Sequence, residues 1–113
     1  MNSPTPITNA TNGNLTSVSL YNYYSVISNT VYVITIPNPS AAVLGVILIF
    51  RMFYPTSISN YPNVWTADNG NHLITNGGYA ANSTFATLSN ITYYFRCVQI
   101  TLTPTYAWIV YTT

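Results

Sequence analysis

The sequence predicts an all-β protein, an antiparallel β-sandwich of jelly-roll-like form with an extended N-terminal arm. Three observations carry this. Thr, Tyr, Val and Ile dominate, while Lys and Glu are absent and Arg is rare, so strand-favouring residues outweigh helix formers. No window sustains a helical period of apolar residues. Short apolar runs alternate with clusters of Pro, Gly and Asn, which is the punctuation of seven or eight short strands.

Residues 1–17 hold two prolines and four asparagines with almost no large apolar side chain. They read as a polar arm or linker. Residues 18–113 then form one β-sandwich head, since 113 residues suffice for one domain and not for two. Residues 30–36 are β-branched and aromatic, as a strand requires, and Pro37-Asn38-Pro39-Ser40 ends it. Residues 43–54 are apolar on both faces, the pattern of a strand covered from both sides. A loop punctuated by Pro55 and Pro62 follows, with a short strand at Val64-Trp65-Thr66. Asp68-Asn69-Gly70-Asn71 is a turn signal, His72-Leu73-Ile74-Thr75 a further strand, and Asn76-Gly77-Gly78 a second turn.

Residues 91–102 form a long strand whose first half puts Ile91, Tyr93, Phe95 and Cys97 on one face. Its second half puts Val98, Ile100 and Leu102 on one face, so a bulge or a fully covered stretch is expected near Cys97. Thr103-Pro104-Thr105 turns the chain into a last strand with Trp108 and Val110 on one face. Cys97 is the only cysteine, and Phe95 and Val98 beside it suggest a buried thiol.

Charge excludes more than it suggests. Arg51, Arg96 and Asp68 are the whole charged inventory, 3% of residues. Two arginines cannot neutralise many phosphates, so no nucleic-acid partner is expected. The longest apolar run, residues 41–50, is half the ~20 residues of a membrane helix, so no membrane insertion is expected. Acid–base catalysis lacks reagents: Asp68 and His72 are the sole carboxylate and imidazole, and Asp-Asn-Gly is foremost a turn. The chain reads as a non-enzyme without cofactor. No metal is assigned. Three copies of His72 meeting on a trimer axis would be the one arrangement able to hold a transition metal.

Asn, Ser and Thr together supply 41 of 113 residues, and Tyr supplies 11. A surface of amides, hydroxyls and phenols does not repel its own copies, which suits a homo-oligomer. The four Asn-X-Ser/Thr sequons, at Asn9, Asn14, Asn82 and Asn90, add little in so Asn- and Thr-rich a chain. Met1 is followed by Asn, Ser, Pro and Thr, without a basic or apolar secretory leader. The expected location is a virion surface or the extracellular space.

Tyr21, Tyr23, Tyr24, Tyr54, Tyr61, Trp65 and Tyr79 fall in or beside the predicted loops. Sugars stack on such rings while amides bond their hydroxyls. The stretch carrying Asn60, Tyr61, Asn63 and Trp65 combines both elements and is the candidate receptor-binding loop for a neutral glycan. The same rings would also serve as packing between subunits.

By overall texture, residues 18–113 resemble the C-terminal head domains of viral fibre and spike proteins, including those of tailed phages and large DNA viruses. The residues concerned are the Pro- and Ser/Thr/Asn-rich arm, Val33-Ile34-Thr35-Ile36-Pro37 and Leu44-Gly45-Val46-Ile47-Leu48-Ile49-Phe50. The ending adds Tyr94-Phe95-Arg96-Cys97-Val98-Gln99-Ile100-Thr101-Leu102 and then Tyr106-Ala107-Trp108-Ile109-Val110-Tyr111. Such heads often place a Leu-Pro element before a Gly-containing apolar strand and finish on a Trp-containing strand; Ile36-Pro37 stands at the first position here. The resemblance implies a homotrimeric head that attaches a virion to a host surface receptor, often a glycan. The alternative is a structural subunit of a capsid, as a minor or decoration protein, or of an extracellular β-filament, whose arm would add a strand to a neighbouring copy.

Overall fold

A computed structural model describes residues 5–7, 13–15, 18, 20–27, 33–53, 63–75, 81–88, 91–101 and 105–112. Ten strands run through them: β1 (Thr5–Ile7), β2 (Gly13–Asn14), β3 (Tyr21–Ile27), β4 (Val33–Ile36), β5 (Ile47–Phe53), β6 (Asn63–Thr66), β7 (Leu73–Thr75), β8 (Phe85–Ala86), β9 (Thr92–Thr101) and β10 (Thr105–Thr112). Among the described residues the only helical element is one 3-10 turn, Ala41–Val43. No helix there is long and apolar enough to cross a membrane.

The strands form a six-stranded sheet, ordered β1-β3-β5-β9-β10-β7, and a four-stranded sheet, ordered β2-β4-β6-β8. The all-β, two-sheet expectation holds, but the sheets are mixed rather than antiparallel. From β1 to β6 the chain alternates between the sheets, and each strand lies parallel to the one two before it: β1–β3, β3–β5, β2–β4 and β4–β6. A chain that crosses to the other sheet between two strands of one sheet returns in its original direction, which makes such pairs parallel. The C-terminal part instead pairs β5–β9, β9–β10 and β6–β8 antiparallel, with β7 parallel to β10 at the edge.

The described strands within the expected arm, Thr5–Ile7 and Gly13–Asn14, lie at the edges of the two sheets. Two further expectations are corrected. Tyr21, Tyr23 and Tyr24 belong to β3, not to a loop. The β9–β10 register shifts between Thr105 and Tyr106, which face Thr101 and Gln99, so the bulge lies at Ile100 and not at Cys97. The expected turn at residues 76–78, residues 103 and 104 of the expected turn at 103–105, and residues 55–62 of the expected loop lie outside the described residues.

The core lies between the sheets. On the inner face of the six-stranded sheet Tyr24, Phe50 and Tyr93 share one row, and Leu48, Phe95 and Val110 the next. Ile34, Ile36 and Val64 meet them from the four-stranded sheet. Phe85 of β8 is edge-on to Phe95 and Tyr93, with ring centroids 5.7 and 5.1 Å apart. Trp108, 0% exposed, donates its Nε1–H to the carbonyl of Pro37 at 2.8 Å, where the chain leaves the four-stranded sheet. That bond satisfies the one polar atom of the largest buried side chain and ties the sheets together. Gly45, at φ +84°, makes the turn into β5 that a side chain would strain, and its N–H donates to the Cys97 carbonyl. Cys97 is buried as expected, and burial pushes its thiol pKa up. Burial does the same to the Tyr24 and Tyr93 phenols, opposed in Tyr93 by the Leu88 N–H that its oxygen accepts.

Candidate functional site

Of the predicted loop residues, Asn60 and Tyr61 lie outside the described residues. Asn63 and Trp65 sit on β6, where Val64 and Thr66 point inward and Asn63 and Trp65 lie half-buried on the outer face. Trp65 stands beside Thr35 of β4, which stands beside Asn14 of β2. Its Nε1 is buried and has no acceptor among the described residues. An indole N–H closed off in this way has no route to a ligand hydroxyl without local movement.

Asp68 and His72 form a turn clip. Asp68 Oδ1 accepts the Gly70 N–H at 2.8 Å and the Thr66 hydroxyl at 3.2 Å, and meets His72 Nε2 at 3.1 Å. The Asp68 N–H donates to Asn38 Oδ1 at 3.0 Å, joining this turn to the segment after β4. The Gly70 and His72 bonds hold the Asp68 carboxyl pKa below the usual carboxylate range. A Cβ on Gly70 would lie 2.7 Å from His72 Nε2, so a side chain there would make the imidazole shift away from Asp68. Asn69 takes positive φ, as turn asparagines do. Apart from the bond to Asn38, these contacts are internal to the turn. Among the described residues no group of three or more His, Cys, Asp or Glu side chains could hold a metal.

The constellation that sequence reasoning missed is on the outer face of the six-stranded sheet. The strand registers set Tyr23, Ile49, Tyr94 and Tyr111 side by side on β3, β5, β9 and β10. Ser25, Arg51 and Thr92 form the next row; Ile47, Arg96, Ile109 and Ile74 form the row on the other side. Both arginines of the chain thus share one face, about 14 Å apart along the strands, with the tyrosine row between them. Both side chains are exposed, as one acid for two arginines in apolar strands requires.

Tyr94 stacks on Tyr111, with centroids 5.2 Å apart and planes within 8°. On its other side it faces Tyr23 across β5, a span of about 10 Å for two inter-strand spacings. The residue between them is Ile49, only 4% exposed. A short apolar side chain between two tall phenols leaves a cleft of about 280 Å³, lined by Tyr23, Ile49, Arg51, Thr92 and Tyr94. The sequence signal for it was the odd-numbered positions of β3 and β5 and the even-numbered positions of β9, where Tyr and Arg alternate with core residues.

At the end of this sheet where β3 and β5 begin and β9 finishes, Leu20 is 69%, Leu44 47% and Ile100 44% exposed. The Ile47 N–H bonds the Leu20 carbonyl there, and the Val46 and Cys97 backbones pair beside it. Comparison of the chain with protein-family models, curated proteins and solved structures gives no match.

Proposed function

We propose that the chain is a non-enzymatic head of a homotrimeric fibre or spike, which attaches a virion to a host surface through the outer face of its six-stranded sheet. The observation that carries this is the tyrosine-walled cleft with Arg51 at its margin. Aromatic walls, an apolar floor and a few polar groups are what saccharide recognition uses. The face holds no acid, because Asp68, the one acidic side chain, is engaged in its own turn.

Self-association draws on the opposite feature. Leu20, Leu44 and Ile100 make an exposed apolar end, and a chain with three charges has little to keep copies apart. That end lies at the far side of the sheet from Arg51, so copies joined there leave the cleft open.

The reading as a coat or filament subunit without a receptor uses the same apolar end. Growth by strand addition suits the edges poorly. The edge strands β1, β2, β7 and β8 have three, two, three and two residues, and β1 carries Pro6. Leu73 of β7 is already bridged on both backbone groups by Asn82.

The test pairs light scattering with retention on an immobilised panel of cell-surface glycans. The expected result is an oligomer retained on the panel, with retention lost in a Tyr23→Ala/Tyr94→Ala double variant of unchanged size. An assembled wild-type protein that no glycan or cell surface retains would leave the structural-subunit reading.

A further inference from the structure

We infer that the Tyr23–Tyr94 cleft takes a carboxylate-bearing sugar unit, a uronic or sialic acid, with Arg51 pairing its carboxylate. This rests on the reading of the outer sheet face as the attachment surface, and it names the chemistry of the ligand there.

Arg51 is exposed at the margin of the cleft and faces Ser25 and Thr92, both neutral, on its neighbouring strands. No acidic side chain is left in the sequence to pair it, since Asp68 is bound within its turn. A guanidinium offers five donors in a planar fork that matches a carboxylate bidentately. A neutral sugar would leave that charge without a counterpart; an acidic one supplies it.

The rest of the cleft fits a single ring. Two phenols about 10 Å apart leave room for one pyranose between them, its C–H face against a ring. Ile49 gives an apolar floor, and the Thr92 hydroxyl at the Arg51 end can both donate and accept. The volume, about 280 Å³, is at the small end of ligand pockets, in keeping with one sugar unit.

The second arginine argues against simple attraction to polyanions. Arg96 lies in a different row, between Ile47 and Ile109, and does not line the cleft. Phosphate-rich or densely sulfated chains draw affinity from many cations, and this face has two.

The experiment measures binding of the full chain to hyaluronan and to polysialic acid, to the carboxyl-reduced form of each, and to dextran sulfate. Circular dichroism checks that each variant is folded; Arg51 is exposed, so its replacement leaves the core intact. At least one carboxylated polymer should bind about tenfold or more tightly than its reduced form. Arg51→Gln should abolish that difference, Arg51→Lys should restore part of it, and Arg96→Gln should leave it within about threefold. The inference is overturned by equal binding of a polymer and its reduced form, or by no binding of either carboxylated polymer. It is equally overturned when Arg96→Gln costs as much as Arg51→Gln, or when dextran sulfate binds best. Retention on cell surfaces that the Tyr23→Ala/Tyr94→Ala variant loses would still uphold attachment through this face in those cases.

Discussion

The outer face of the six-stranded sheet and the outer face of the four-stranded sheet rest on one core but present different chemistry. On the first, Tyr23 and Tyr94 stand two strands apart with Ile49 low between them, and both arginines flank the row. On the second, Trp65 stands next to Thr35 with its indole nitrogen sealed, and no charged side chain accompanies it. The larger aromatic is therefore the weaker candidate for recognition. What makes a face receptive is a gap between rings and a polar group that remains free to bond, and spacing across strands decides both.

The largest expected effect removes what the two faces share. Trp108→Ala empties the centre of the core and breaks the bond to Pro37, so a loss of about 3–5 kcal/mol is expected in urea unfolding. Both faces should fail together. A loss under about 1 kcal/mol would mean that the sheets hold together without this side chain.

Trp65→Phe sharpens the contrast from the other side. It removes a buried donor that lacks an acceptor among the described residues, so stability should stay within about 1 kcal/mol of wild type. A loss of several kcal/mol would show that the indole N–H has a partner.

Cys97 offers a chemical probe of the shared core. Its buried, protonated thiol should resist iodoacetamide at neutral pH and react once denaturant opens the sheets. Rapid labelling of the native protein would place Cys97 outside the core.

The smallest expected effect is that of acid on the Asp68 turn. Its carboxyl pKa is lowered on folding, so the turn is stabilised above the unfolded carboxyl pKa. That contribution is lost as pH falls through the lower folded value. Asp68 is exposed, so the loss is modest and confined to strongly acidic solution. Asp68→Asn should flatten the dependence of thermal unfolding on pH in that range, and an unchanged slope would show that the clip adds nothing.

The contrast between the faces also explains how much of the molecule is legible in its sequence. The strands around Val33–Ile36, Ile47–Phe53, Thr92–Thr101 and Thr105–Thr112 announce themselves through β-branched and aromatic runs, and Trp108 and Val110 point inward as their spacing requires. β3 is hidden because Asn22 and Ser25 interrupt it; Asn22 sits inside a strand by donating its side-chain N–H to the Ile47 carbonyl. β1 (Thr5-Pro6-Ile7) and β2 (Gly13-Asn14) are hidden because segments of two or three residues become strands only by parallel pairing with segments about 20 residues away. Arg51 and Arg96 are visible as interruptions of apolar runs. That they share one face follows from the pairing of Ile47 with Arg96 and of Arg51 with Thr92, which no local pattern contains.

The central claim, that the tyrosine face and not the tryptophan face meets the partner, is tested most directly by comparing two single variants. Tyr94→Ala and Trp65→Ala are each measured for retention on the glycan panel, after light scattering confirms that size is unchanged. The account expects Tyr94→Ala to weaken retention about fivefold or more, the worth of one stacked ring, while Trp65→Ala leaves it unchanged. Retention kept by Tyr94→Ala and lost by Trp65→Ala would move the site to the four-stranded sheet and contradict the account.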